Sequence, residues 1–297
     1  MGMGMGMGMG MGMGMGMGMG MGMGMGMAFS ATPPELGFRP LTLQYELGPN
    51  TAPSFPNTLL PPNPSGKDRV GPWDPDVLSL LHLAEFIKKT DWHMIKNDIE
   101  ADTTLKMLHW RPSNNPNYQA FISREIAQLE LLMQTDRERY MAEIVAQHDN
   151  APGYWVNLMA INAPQHHNTL VVINLAVRIG QIVAAYYKDH YKRTRPSYVC
   201  PGLLPAFGPP AHASFPSGHS LQSWLISLFL ENVAPSYKKE LYWLAERVAL
   251  NRERAGVHYR SDSVCGRFIA EKCEKKITTS TCPGIKQLFS DAAKEWS

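Results

Sequence analysis

Pro216-Ser-Gly-His-Ser-Leu-Gln-Ser-Trp-Leu-Ile-Ser-Leu-Phe-Leu230 is the stretch around which the rest of the chain is organised. A proline-serine-glycine turn opens it, and the apolar run from Leu221 onward predicts a buried helix. The first turn of a helix presents backbone N–H groups without intrahelical partners, together with the positive end of the helix dipole. Such an end holds anions. Gly218 lets the backbone approach an anion closely, and Ser217 adds a hydroxyl donor. His219 stands beside them, suited to passing a proton to a departing group.

Two further clusters flank this turn: Lys188-Asp-His-Tyr-Lys-Arg-Thr-Arg195-Pro196 and Arg252-Glu-Arg-Ala-Gly-Val-His258-Tyr-Arg-Ser-Asp262. Ile173, Val177 and Ala184 lead at helical spacing into Lys188, and Leu241, Leu244 and Val248 lead into Arg252. Both cations therefore continue an apolar stripe. A buried cation is costly without a partner, so two of them on different helices point to a shared anion. Arg195 precedes Pro196, which biases it out of helix and lets it fork onto two oxyanion oxygens, while Lys188 acts as a point charge. His258 and Asp262, four apart at the expected start of a helix, share one face. The carboxylate can then hold the imidazole tautomer. Lys192 and Arg193, between these groups, read as a solvated face.

In order and spacing the three clusters resemble the signature of the superfamily that joins type-2 phosphatidic acid phosphatases, bacterial acid phosphatases and vanadium haloperoxidases, K-x6-R-P, then P-S-G-H, then S-R-x5-H-x3-D. Asn251 stands where that pattern has serine. The resemblance implies an all-α helical bundle of the acid phosphatase and haloperoxidase type. It implies that Lys188, Arg195, Arg252, Ser217 and Gly218 bind phosphate, that His258 is the nucleophile of a phosphohistidine oriented by Asp262, and that His219 is the acid and then the base. The expected activity is hydrolysis of small phosphomonoesters by a soluble enzyme without a cofactor. The short connection between the second and third clusters resembles the compact acid phosphatases. The alternative is a haloperoxidase using vanadate at His258 with peroxide and halide. His212 resembles the extra histidine of the bromoperoxidases, its plainer role being a loop histidine at the mouth of the site. A non-enzymatic anion-binding protein is a third reading, against which the complete His219, His258 and Asp262 set argues.

Elsewhere the chain is less informative. A formal net charge of +2 does not point to nucleic acid. Residues 1–27 are a Met-Gly repeat without a signal-peptide pattern, expected to be disordered. Residues 28–72 read as a Pro-rich extended arm suited to homodimer contacts. Residues 73–297 are the expected catalytic domain. Trp73-Asp-Pro75 opens a helix with an apolar face of Val77, Leu80, Leu81, Ala84, Phe86 and Ile87. One long helix is expected after Pro116, with Asp136, Arg137, Glu138 and Arg139 as a solvated charge run. In the apolar helix from Pro164 to His190, the interruptions Asn174, Arg178 and Gln181 argue against a membrane span, and a cytoplasmic location follows. Further helices are expected over Tyr237–Arg254, His258–Lys275 and Pro283–Glu295. Cys200, Cys265, Cys273 and Cys282 form no C-x-x-C pair, so no disulfides are expected. His109, His148, His166 and His167 lack clustered partners at ligand spacing, so no metal centre is expected.

Overall fold

A computed structural model of the chain describes residues 73–102 and 116–297. The Met-Gly tract, the Pro-rich arm and His109 lie outside the described residues. Helix α1, Pro75–Lys89, starts where the sequence places it: Asp74 accepts the N–H of Asp76 at 2.8 Å, and Pro75 occupies the first turn. A 3₁₀ turn leads into α2, Ile95–Ala101. The helix expected after Pro116 is two helices, α3 (Pro116–Thr135) and α4 (Arg137–Asn150). The break at Asp136 accompanies an inward turn of Arg137, which donates to the carbonyls of Arg254 (2.6 Å), Leu203 (3.0 Å) and Leu204 (2.6 Å). Asp136 pairs with Arg254 at 2.8 Å. Half of the expected solvated charge run is therefore committed to fastening α4 onto Leu203, Leu204 and Arg254.

After the short α5, Gly153–Leu158, comes α6, His167–Tyr191, and then the one-turn α7, Pro196–Val199. Helix α8, Gly218–Val233, occupies the centre of the bundle, and every residue from Gly218 to Leu230 is buried. It packs against α6, α9 (Lys238–Arg254) and α10 (Arg260–Thr279). An apolar helix can be surrounded in this way only if its polar groups find partners. Gln222 donates to Val177 O on α6, Ser227 to Leu241 O on α9, and Ser220 to Ser263 O on α10. Glycine sets two of these approaches. A Cβ on Gly180 would fall 2.4 Å from Cγ of Gln222, and one on Gly266 would fall 2.9 Å from the carbonyl oxygen of Ser217. Helix α11, Pro283–Ala293, closes the bundle over α6 and α8. Beyond it, Glu295 caps the first turn of α6 by accepting the N–H groups of Asn168 (2.8 Å) and Thr169 (2.9 Å).

The all-α expectation holds, and no strand occurs among the described residues. Two expectations need correction. On α1, Val77, Leu80, Leu81, Ala84 and Ile87 are exposed, while Ser79, Leu83 and Phe86 face inward. The seam follows α6, whose Arg178 grips Asp76 at 2.6 Å, and this rotates the expected face outward. The second concerns the membrane. His167–Val199 is long and apolar enough to cross one by length and composition, with a window of mean hydropathy 1.6, so Asn174, Arg178 and Gln181 do not disqualify it. Within this fold 67% of that window is buried in the protein itself.

Candidate active site

The site forms where the C-terminal end of α6, the N-terminal end of α8 and the turn between α9 and α10 meet. Lys188, in the last turn of α6, is buried and donates to the carbonyls of Ala213 (2.8 Å) and Ser214 (3.0 Å). Those carbonyls belong to the loop that ends in Pro216 and Ser217, so Lys188 ties α6 to the turn that opens α8. Arg195 has extended backbone just ahead of α7 and projects from a turn, as Pro196 predicts. Its Nε donates to His212 O at 3.0 Å, and its Nη1 donates to Val257 O at 2.7 Å while lying 3.4 Å from Nε2 of His258. Nη2 is 3.1 Å from Nδ1 of His212. His212 thus touches the site through Arg195, which matches its reading as a loop histidine at the mouth.

His258 and Asp262 meet, though not through a shared helix face. Helix α10 begins at Arg260, so His258 lies before the N-cap Tyr259, and Asp262 is in the first turn. Oδ2 of Asp262 accepts the N-cap N–H of Tyr259 at 3.0 Å, the Ser214 hydroxyl at 2.5 Å and Nδ1 of His258 at 3.1 Å. The capping role places the carboxylate and the tight turn places the ring. Nε2, opposite Nδ1, is the end of the imidazole that Arg195 Nη1 approaches at 3.4 Å.

Helix α8 carries the remaining groups. Ser217 is its N-cap, with the side chain accepting from Ser220 N at 3.4 Å, and its own N–H donates to Asp262 O at 3.0 Å. The last bond joins the turn that opens α8 to α10. His219 is 3% exposed, and its Nε2 has no hydrogen-bond partner among the described residues. Arg252 is 1% exposed. Its Nη2 donates to Ile144 O at 2.7 Å, while Nε and Nη1 have no partner among the described residues. The His148 ring stacks on Phe207 at 4.2 Å and lies 6.4 Å from the ring of His219, and Phe207 also lies under Arg252. Buried donors without acceptors are costly, and Arg252 and His219, which carry three such atoms, lie close to each other at the α8 N-terminus.

The electrostatics show how close these groups are to one another. Burial, then Arg252, His258, His148 and Lys188, holds His219 well below its usual range. Burial and Arg195 do the same to His258 against the pull of Asp262. Lys188 is pushed down by burial and by Arg195, and burial lowers Arg195 and Arg252 to about 10 each. Burial would raise the Asp262 carboxyl, but Arg193 and the bond from His258 hold it well below the ordinary range. The pocket therefore favours one negatively charged guest over several uncompensated cations.

The family model described as PAP2 superfamily matches residues 169–273, the segment that contains all three clusters. Residues 169–273 carry the PAP2 superfamily pattern. That match supports a function of the phosphatase type, and the haloperoxidase alternative draws no support from the comparisons. No curated protein matches. Among solved structures, a transmembrane PAP2-type phosphatidylglycerolphosphate phosphatase from Bacillus subtilis is 19% identical over 69% of this chain and 98% of that one. Its TM-score of 0.28 carries no argument about a shared chain path.

Within the PAP2 segment, Asn251, which replaces the pattern's serine, faces away from the site. It donates to Glu143 (2.9 Å) and Gln147 (2.8 Å) and accepts from Arg254 (2.9 Å), joining α9 to α4. Sequence reasoning missed three groups. Ser214 bridges to Asp262 without any motif of its own. Arg193, read as solvated, is buried against Asp262 at 2.7 Å and Glu125 at 2.7 Å. Glu125 lies 68 residues earlier than Arg193, on α3, outside the PAP2 segment. The density of cations before Pro196 was the available signal for Arg193, and Glu125 had none. Among the described residues no group of histidine, cysteine and acidic side chains could hold a metal ion.

Proposed function

We propose that the chain is a phosphomonoesterase working through a phosphohistidine on His258. The observation that carries this reading is the set of buried donors without acceptors, Nε and Nη1 of Arg252 and Nε2 of His219, beside the α8 N-terminus. A phosphoryl group supplies the acceptors and the charge such a set lacks. Arg195, Arg252, Lys188, Ser217 and the Gly218 N–H would hold its non-bridging oxygens. His258 Nε2 attacks phosphorus while the ester P–O bond breaks, and His219 gives its proton to the departing alkoxide oxygen. His219, now neutral, takes a proton from water, and the water oxygen attacks phosphorus as the P–N bond breaks. Inorganic phosphate leaves, with His258 restored and His219 protonated again.

The lowered pKa values of the two histidines fit these two tasks. His258 keeps an unprotonated Nε2 for attack, with its Nδ1 proton on Asp262. Burial and then the surrounding cations hold His219 neutral, and a phosphate dianion offsets the cations' share. The acid is then loaded when the substrate arrives. In the test, the purified full chain is assayed for phosphate release from a panel of small phosphomonoesters. A parallel assay follows bromination with vanadate, peroxide and bromide. Phosphate release that vanadate inhibits and His258→Ala abolishes supports the reading. Bromination without hydrolysis would replace it with the haloperoxidase. Phosphate binding without turnover would leave an anion-binding protein.

A further inference from the structure

Arg193 takes no part in the proposed anion cradle, yet it is only 2% exposed. Its Nη1 donates to Oδ1 of Asp262 at 2.7 Å and to the Ser261 hydroxyl at 2.6 Å, and its Nη2 donates to Oε2 of Glu125 at 2.7 Å. The guanidinium lies 3.9 Å over the ring of Tyr259, whose N–H donates to the other oxygen of Asp262. Glu125 also accepts the Ser261 N–H at 2.7 Å and the Ser261 hydroxyl at 2.6 Å. It therefore holds both Arg193 and the first turn of the helix that carries Asp262.

The two oxygens of Asp262 have separate duties. Oδ1 belongs to Arg193, while Oδ2 takes His258, Ser214 and Tyr259. A carboxylate turns about its last bond, so a fixed Oδ1 sets the plane in which Oδ2 meets the imidazole. We propose that Arg193, clamped by Glu125 of α3, is a positioning residue that fixes the plane of Asp262 and through it the tautomer and aim of His258. This rests on the phosphohistidine reading, and it extends the working site beyond residues 169–273 to a helix of the chain's own. A buried ion triad that only braces the fold would show itself in stability alone. A positioning role appears in the step after binding, because Arg193 does not touch the phosphate.

The test uses the full chain and the best phosphomonoester from the panel, with kcat, KM, inhibition by inorganic phosphate and thermal melting measured for Arg193→Met, Arg193→Lys and Glu125→Gln. For Arg193→Met, kcat should fall about 10- to 100-fold, the range for a misaligned reacting group. KM and the phosphate inhibition constant should stay within about threefold, since uniform binding is untouched. Arg193→Lys keeps the charge but cannot fork, and should recover part of kcat. Glu125→Gln should lower kcat by about 3- to 10-fold, with phosphate inhibition unchanged. An unchanged kcat, a loss confined to KM, or a lysine variant no better than methionine overturns the positioning role. Should Arg193→Met fail to fold, Glu125→Gln decides by the same criteria. Absence of turnover in the wild-type chain overturns the phosphatase reading and this role with it, whereas wild-type turnover that Arg193→Met retains in full overturns the positioning role alone.

Discussion

Replacing Gly266 by alanine probes how tightly the turn that opens α8 sits on α10. The new Cβ would lie 2.9 Å from Ser217 O, 2.9 Å from Ser220 Cβ and 3.0 Å from Leu221 N. Two of these are backbone atoms of the turn that opens α8, so no flexible side chain can yield in their place. Ordinary contact begins at about 3.5 Å, so α8 and α10 must part by about 0.5 Å. Overpacking of this kind costs about 1–3 kcal/mol, against which alanine gains about 1 kcal/mol in helix propensity over glycine. The net loss of about 0–2 kcal/mol lowers Tm by a few degrees at about 2–4 °C per kcal/mol for a domain of this size. Activity should suffer more. The displacement moves Ser217 relative to Asp262, to whose carbonyl its N–H is bonded at 3.0 Å. A 1 Å misplacement costs about 100-fold, so half of that predicts about a 10-fold drop in kcat. Melting followed by circular dichroism, with steady-state kinetics on the same preparation, reads both effects. A raised Tm with full kcat would show that the two helices are not in the close contact described and would refute the reasoning.

Glu253, fully buried on α9, is pushed up by burial to about 7 from an ordinary 4.5, with Arg260 pulling the other way. The folded chain keeps a proton there that the unfolded chain releases, so stability falls as pH rises from 4.5 toward 7. That loss reaches about 3 kcal/mol, and urea titrations at pH 5 and pH 8 should show Glu253→Gln flattening it. Binding of inorganic phosphate should take up a proton near neutral pH, because His219, held low by burial and by the cations around it, gains charge beside a dianion. Calorimetry in buffers of different ionisation enthalpy measures this, and no dependence on buffer would count against His219 as the acid. Arg137→Met should cost about 3 kcal/mol or more, since the three carbonyls it serves lose a charged donor in a buried setting. Chemical denaturation reads the loss, and a cost within about 0.5 kcal/mol, typical of a surface change, would mean that the residue is solvated after all.

The helices on either side of the site were legible because their signals are local. Asp74-Pro75 starts α1, the apolar run after Ser220 marks a buried helix, and Pro196 takes Arg195 out of helix. The three clusters were legible as a set because order and spacing carry them. Partners were not. Val77, Leu80, Leu81 and Ile87 form a good apolar stripe, but where α6 meets α1 decides which stripe is buried. Arg137 and Arg193 sit in runs of charge that read as solvent-facing, and their partners lie 117 and 68 residues away. His258 and Asp262 were rightly paired for the wrong reason, since a helix face and an N-cap turn can bring the same spacing together.

The sequence by itself determined the all-α class, most of the long helices, and the inventory of cations, histidines and the carboxylate that a phosphoryl group would meet. Helix propensity, capping and periodicity act over a few residues, so they are written into adjacent positions. Only the tertiary structure decided which of those charges are buried, that Arg193 and Glu125 stand behind Asp262, and that Arg252 and His219 carry donors still in need of an acceptor. Burial and electrostatic shifts are sums over every neighbour in space, and most of those neighbours come from distant parts of the chain.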